Sequence, residues 1–122
     1  MSDLFRHLGE INPVNIWAGA LARPVHGREV TFAIVELSPN SAVPLHHHSN
    51  EQLGMVLVGS MDLRIGDEHK VLTAGDTYKI ASNAPHQATA GPEGAIVVDV
   101  FAPIRSEWAN LPLLDVATPR WP

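Results

Sequence analysis

The chain alternates between short apolar runs and polar turn signals from about residue 30 to residue 101. The runs are rich in Val, Ile and Leu, and the breaks contain Gly, Pro, Asn or Asp, as is typical of β-strands joined by turns. The predicted strands are residues 16–21, 29–37, 52–58, 60–65, 70–72, 77–80, 86–90 and 95–101. This pattern predicts an all-β sandwich or barrel, and eight strands suit a barrel that holds side chains and one small ligand.

The two ends of the chain lack this pattern. Residues 102–122, the C-terminal tail, carry four of the chain's 10 prolines, which excludes a long helix, but they also carry Trp108 and Trp121. We expect one domain of residues 1–122, with a barrel core at about residues 28–101. The apolar tail is expected to be an extended strap over the barrel, a lid or a dimer contact.

Composition narrows the possible functions. A chain of 122 residues has room for one domain, and a net charge of −5 with only 8 Lys and Arg argues against nucleic-acid binding. No apolar run approaches the roughly 18–20 residues of a membrane span, and no secretory signal is evident, so we expect no membrane association and a cytoplasmic location. Because cysteine is absent, any metal must use nitrogen and oxygen ligands.

Histidines supply the candidate metal ligands. His46 and His48 are two residues apart, so on a strand their side chains face the same side, and Gln52 keeps this even spacing. Glu51 is the more usual kind of ligand but has odd spacing, which favours Gln52. His86, just after Pro85, is the expected fourth ligand. Two histidines alone are also typical of a solvated surface, so spacing by itself leaves that alternative open.

The other histidines are not expected to bind metal. His47 lies between two candidate ligands and should face outward, His69 lies beside a predicted hairpin turn, His26 lies in a predicted loop and His7 lies in the N-terminal arm. The predicted cofactor is therefore one divalent transition metal held by three imidazoles and one amide. This ligand set suits nickel, zinc, manganese, iron or copper without selecting one.

Residues 44–59 carry the first of two known motifs. The segment PLHHHSNEQ, followed by six residues and Gly59, resembles the first motif of the cupin superfamily, which reads H-x-H, three or four residues, Glu, six residues and Gly. Gln52 occupies the Glu position of that motif.

The second cupin motif, G-x5-P-x-G-x2-H-x3-N, is matched in spacing by residues 75–90. Ala81, Asn83 and Ala90 replace its Pro, Gly and Asn, and none of these changes removes a metal ligand. The resemblance implies a small single-domain cupin, a jelly-roll β-barrel also called a double-stranded β-helix. It also implies that His46, His48, Gln52 and His86 hold the metal.

The last predicted strand carries an acidic residue in an apolar run. Asp99 shares a face with Phe101, and Arg105 follows four residues later. A buried Asp near a metal is suited to act as a general base, and Arg offers a fork for a substrate carboxylate. An Asp99–Arg105 ion pair that braces the end of the strand is the equally weighted alternative.

This D-x-F-x-x-x-R element, together with Gln52, resembles the KdgF-like cupins. That resemblance implies isomerase-type ring opening of a 4,5-unsaturated uronate or a related small carbohydrate acid. Asp99 and Arg105 would be catalytic, and Phe101, Arg105 and Tyr78 would bind a substrate that carries a carboxylate. Asp99 would take the proton of the anomeric hydroxyl, and the ring C–O bond would open to give an enol that tautomerises to a ketone. The metal and Arg105 would stabilise the negative charge that develops on oxygen.

Three other functions stay open from the sequence. Cupins also include metal-dependent dioxygenases and polyketide cyclases or isomerases, and aromatic pocket walls at Trp17, Phe32 and Tyr78 would favour a cyclase. A non-enzymatic small-molecule-binding cupin is the third. A homodimer is expected, because pairing between edge strands covers an exposed sheet edge.

Overall fold

The structure is a computed structural model that describes residues 3–122. It has eight strands: β1 (Val14–Trp17), β2 (Ala20–His26), β3 (Thr31–Leu37), β4 (Ala42–His46), β5 (Glu51–Ile65), β6 (Glu68–Thr73), β7 (Thr77–Ile80) and β8 (His86–Ala102). Two short 3-10 turns cover Leu8–Glu10 and Ser106–Asn110. The predicted all-β barrel is confirmed. None of the helical segments in the described residues has the length and apolarity that a membrane crossing requires.

All strand pairs are antiparallel. The main sheet has the order β1-β2-β3-β8-β5-β6, while β4 pairs with β8 and β7 pairs with β5. The first part of β5 pairs with β7 and the end of β8, and its second part pairs with β6 and the start of β8. Each long strand therefore pairs with different neighbours along its two halves. Two register shifts between β5 and β8 allow these strands to bend between the halves.

The bend occurs where two glycines meet. Gly59 has φ +79°, and a Cβ added there would lie 2.2 Å from the carbonyl oxygen of Gly94. The sequence predicted chain breaks at Gly59 and at Gly91-Pro92, and this prediction was wrong. The glycines bend continuous strands, so residues 52–58 and 60–65 form one strand, as do residues 86–90 and 95–101.

The N-terminal half corrects three further expectations. The predicted strand at residues 16–21 contains the β1–β2 turn, where Gly19 has φ +80°. Strands β2 and β4 were missed because they contain Pro24 and Pro44. Pro24 lies where β2 pairs only with β3, and β4 has a register shift around Pro44, so neither missing N–H breaks a continuous ladder.

The core lies inside the barrel. It is formed by inward-facing apolar residues, which include Val14, Ala20, Ala22, Ala33, Val35, Leu37, Val56, Met61, Leu63, Leu72, Ala88, Ala90, Ala95, Val97, Phe101 and Trp108. Because the β1–β2 hairpin adds two strands to the sheet, this core begins before the expected boundary at residue 28. At the other end β8 continues to Ala102, and the tail leaves the sheet after it.

The tail crosses the outer face of the barrel. Leu114 N donates to Pro13 O at 2.9 Å, and Asn12 Nδ2 donates to Leu114 O at 2.8 Å. Further along, Ala117 O accepts from Arg23 at 3.3 Å. These contacts support our proposal that the tail acts as a strap.

A buried ion pair fastens the end of this strap. Arg23 Nη1 donates to Glu36 Oε2 at 2.7 Å, and the backbone N–H of Arg120 donates to the same oxygen at 2.9 Å. Arg23 is 1% exposed, so both charges depend on each other for solvation. The pair therefore joins β2, β3 and the tail.

Arg23→Ala is expected to lower the free energy of unfolding by about 3–5 kcal/mol, because it leaves Glu36 charged and unpaired beneath the tail. Urea unfolding followed by circular dichroism measures the change. Arg64→Ala, at an exposed site, is the control and should change stability by about 0.5 kcal/mol or less. If Arg23→Ala were as stable as wild type, the ion pair would not be what holds the tail in place.

Candidate metal centre

Three histidines from two parts of the chain meet inside the barrel. His46 ends β4, His48 lies in the loop that follows, and His86 begins β8 directly opposite His46 in the strand register. One ring nitrogen from each histidine lies within 4.8 Å of the others. The structure thus brings together the three histidines that the sequence singled out.

Each of the three rings is oriented by a backbone carbonyl two residues away. The hydrogen bonds are His46 Nδ1 to Pro44 O at 2.8 Å, His48 Nδ1 to Asn50 O at 3.1 Å and His86 Nδ1 to Ala84 O at 2.8 Å. A carbonyl only accepts, so Nδ1 carries the proton in each ring. The unprotonated Nε2 atoms are then available to a metal, as in most histidine-bound metal sites.

Gln52 faces the histidines from β5. Its Nε2 donates to Asp99 Oδ1 at 3.1 Å, which leaves its Oε1 facing His48 Nε2 at a distance of 3.1 Å. Gln52 is buried, whereas Glu51 is exposed on the opposite side of the strand. The alternation of the strand therefore places the amide, and not the neighbouring carboxylate, at the histidine cluster.

The environment of His48 tests whether a cation fits. Both of its ring nitrogens face oxygen acceptors, Asn50 O and Gln52 Oε1, but a neutral imidazole carries only one N–H. Burial, and then the charge of Arg105, lowers the pKa of His48 and disfavours the doubly protonated ring; burial also lowers the pKa of His86 to about 4. A cation between Nε2 and Oε1 resolves the conflict. The residues present fit a divalent transition metal.

Asp99 lies beside this cluster with one oxygen free. Its Oδ1 accepts from Gln52 Nε2 and from the Tyr78 hydroxyl, the latter at 2.6 Å, while its Oδ2 has no hydrogen-bond partner among residues 3–122. Burial raises the pKa of Asp99 to about 6, against the opposing effects of Tyr78, Gln52 and the Arg105 charge. A carboxylate with one oxygen held and the other free is suited to accept a proton.

Arg105 contacts two aromatic rings and one acidic side chain. Its guanidinium carbon lies 4.8 Å from the centre of the Phe101 ring and 4.6 Å from that of Trp108, and its Nε pairs with Glu107. Among residues 3–122 the two terminal nitrogens make no hydrogen bond. Asp99 and Arg105 form no salt bridge, so the alternative of a bracing ion pair does not describe this site.

One cavity joins most of these groups, although His48 and Glu107 do not line it. It is lined by His46, Gln52, Tyr78, His86, Asp99, Phe101, Arg105 and Trp108, and elsewhere by apolar side chains of the barrel interior. Trp17 also lines it, with its ring centre 5.0 Å from that of His46. Phe32, expected as a possible wall, is 42% exposed on the outer face, because it lies one residue out of phase with the inward-facing Ala33.

The remaining histidines lie outside the cluster, as expected. His7 caps the first 3-10 turn, His69 pairs with Asp62 and His47 is exposed. His26 was expected in a loop, but it is the last residue of β2, where it pairs with Thr31 and bonds its Oγ1.

Sequence reasoning missed three residues of the site. Asn50 is buried beside His48, Glu107 pairs with Arg105, and Trp108 packs edge-to-face on Phe101 with ring centres 5.0 Å apart. Trp108 was assigned only to the apolar tail, although its spacing of three residues from Arg105 could have indicated that the two pack together. Asn50 gave no signal, because the partners of its side chain lie more than 50 residues away.

Gly54→Ala is expected to destabilise the protein by about 1–3 kcal/mol and to displace Tyr78 from Asp99. A Cβ at Gly54 would lie 2.2–2.4 Å from atoms of the Tyr78 side chain. Thermal unfolding measures the cost, and the Tyr78→Ala background is the control, since there the added methyl group meets no ring. A similar cost in both backgrounds would contradict this explanation.

Comparisons with known proteins agree with the geometry. The chain is 31% identical over 65 residues to the pectin degradation protein KdgF of Dickeya dadantii strain 3937, covering 53% of this chain and 59% of that protein. The match thus spans less than two thirds of the relative's length.

Solved structures match over more of the chain. KdgF from Halomonas sp. superposes with a TM-score of 0.79 at 21% identity, over 87% of this chain and 98% of that one. An RmlC-like cupin from Shewanella frigidimarina gives 0.80 at 24% identity, over 87% and 96%. At these identities the structural matches show the fold. The Cupin_2 model of the cupin domain matches residues 33–101, more than half of the sequence. This protein therefore belongs to the cupin family.

Proposed function

We propose that this protein is a metal-dependent enzyme that opens the ring of a 4,5-unsaturated uronate or a related small carbohydrate acid. The observation that carries the proposal is the shared cavity, in which a free Asp99 oxygen and Arg105 lie beside His46 and His86 of the three-histidine cluster. The similarity to KdgF proteins supports the substrate class.

His46, His48, Gln52 and His86 would hold one divalent transition metal, with nickel, zinc, manganese, iron and copper as the candidates. When bound, the metal would supply Lewis acidity toward substrate oxygens. Because the four ligands carry no charge, they would leave the full positive charge of the ion in place. All other steps in the proposal belong to side chains of the chain itself.

Asp99 would act as the general base. Its Oδ2 would accept the proton of the anomeric hydroxyl; the O–H electrons would form the new carbonyl, and the ring C–O bond would break. The ring oxygen would leave as an enol oxygen by taking up the proton that Asp99 had accepted, which restores the carboxylate, and tautomerisation to a ketone would move a proton from this oxygen to carbon. The overall change is an isomerisation, so no oxidant or second substrate is needed.

Arg105 would bind the substrate carboxylate through its terminal nitrogens, because Glu107 occupies only Nε. Phe101 would support the guanidinium and form part of the pocket wall. Tyr78 would hold Asp99 through its hydroxyl and line the pocket beside it.

The test is an assay of the metal-loaded protein on unsaturated uronates, with loss of their ultraviolet absorbance as the readout. Removal of metal with a chelator should abolish the reaction, and metal analysis should find one ion per chain. Oxygen consumption in place of ring opening would support the dioxygenase alternative. Turnover that is unaffected by the chelator would contradict the proposal.

The homodimer and the cytoplasmic location also stay proposals. Apolar residues form a row across the outer face of the sheet, where Val25 pairs with Phe32, Phe32 with Val100 and Val100 with Leu53. Three of them are 40–49% exposed, which supports a surface covered by a second copy. Sedimentation of the pure protein tests this, and a monomer at all concentrations would contradict it.

A further inference from the structure

We propose that Asn50 is a positioning residue that holds the Arg105 segment against the metal-binding part of the chain. The inference rests on the proposed function, because it assigns Asn50 to the carboxylate-binding role of Arg105.

Asn50 is a buried amide with partners far away in sequence. It is 5% exposed, and its Nδ2 donates to Pro103 O at 2.6 Å and to Ile104 O at 3.1 Å. Both amide hydrogens are thus used on two consecutive carbonyls. A buried amide that donates to two consecutive backbone carbonyls fixes the backbone more strongly than one exposed hydrogen bond does.

The same residue also contacts the histidine cluster. The backbone oxygen of Asn50 accepts from His48 Nδ1 at 3.1 Å, and Gln52 follows two residues later. The backbone of Asn50 therefore orients a proposed metal ligand, while its side chain holds the segment that leads to Arg105. No other residue in the described part of the chain hydrogen-bonds to both regions.

The segment that Asn50 holds has few other attachments. It leaves the end of β8 at Ala102, and its next fastening is the backbone N–H of Arg105, which donates to Thr31 Oγ1 at 2.9 Å. Without the Asn50 amide, the carbonyls of Pro103 and Ile104 lose their partner and the segment can shift. Small displacements of a binding group weaken a geometry-dependent contact such as an Arg–carboxylate fork.

A change of the Asn50 side chain should therefore separate two properties of the site. The backbone oxygen that orients His48 is retained in any variant, so metal affinity should change little. The position of Arg105 depends on the side chain, so carboxylate binding should weaken. A purely structural role would alter both properties together or neither.

The first experiment needs no ligand. In the metal-loaded protein, the Nε–H signal of Arg105, assigned by its loss in Arg105→Lys, is recorded by 15N–1H NMR. We expect a dispersed signal in wild type and a shift to the unstructured-arginine position in Asn50→Ala. Asn12→Ala, which removes an amide-to-carbonyl bond in the strap, should leave the signal unchanged. An unchanged signal in Asn50→Ala overturns the proposal; if this variant does not fold, Asn50→Ser decides in its place.

The second experiment is a double-mutant cycle on binding of D-galacturonate, a saturated uronate, by calorimetry. Asn50→Ala should raise the Kd by about tenfold in the wild-type background and leave it unchanged in the Arg105→Ala background, with the metal Kd constant throughout. Equal effects in both backgrounds overturn the proposal. If wild type does not bind galacturonate, that result counts against the proposed substrate class, and the Arg105 signal alone then decides the role of Asn50.

Discussion

Asp99→Asn is expected to lower kcat about 10²- to 10⁴-fold while the metal content stays at the wild-type level. The substitution keeps the shape of the side chain and replaces only the proton-accepting function. Both hydrogen bonds to Asp99, from Gln52 and from Tyr78, end on Oδ1, so an Asn carbonyl oxygen can accept both. The amide nitrogen then takes the place of Oδ2, and it cannot accept a proton.

Steady-state kinetics and metal analysis on the same preparation measure both halves of this expectation. Tyr78→Phe is the matched control, because it removes one hydrogen bond to Asp99 and keeps the carboxylate. It should reduce kcat far less than Asp99→Asn does. Wild-type turnover in Asp99→Asn would exclude Asp99 as the base, whereas loss of metal from this variant would indicate that its main role is to orient Gln52.

The second large effect is expected at the histidine cluster. His48→Ala should weaken metal binding by at least about 100-fold, because it removes a ligand, a larger change than the loss of an outer hydrogen bond. His47→Ala is the control: it changes the adjacent residue of the same His triplet, but His47 is exposed and faces away from the cavity. The metal Kd is measured by competition with a chromophoric chelator.

A thermal-shift measurement gives an independent check. Metal at 100 times its Kd should stabilise wild type and His47→Ala by about 2.7 kcal/mol, since it binds the folded state. His48→Ala at the same metal concentration should be stabilised far less. Equal stabilisation of both variants would show that the metal binds elsewhere, and the proposed ligand set would then be wrong.

The sequence predicted the fold class well and the strand boundaries poorly, for a physical reason. Turn residues were interpreted as chain breaks, but Gly59 and Gly94 serve close packing at the crossing of β5 and β8. In the same way, the predicted strands leave out residues 22–26 and 42–46, which contain Pro24 and Pro44, although both prolines occupy positions where the ladder is incomplete. Local composition does not reveal which partner strand a residue will meet.

The histidine cluster was more predictable than its surroundings. The alternation of β5 turns Gln52, and not Glu51, toward the histidines as expected, but the even spacing from His46 and His48 does not run along one strand, because the chain leaves β4 at His46 and enters β5 at Glu51. By contrast, the side-chain contacts of Asn50 depend on how the segment after β8 folds back onto the barrel. Such long-range contacts leave no periodic signal in a single sequence.

The pairing of β8 has a consequence for the order of events during synthesis. This strand pairs with β3, β4 and β5 and carries both His86 and Asp99. A nascent chain that has not yet released residues 86–102 from the ribosome therefore lacks the partner of three strands. We expect the barrel to close late, with slow folding typical of contacts between distant residues, and metal loading to follow the release of β8.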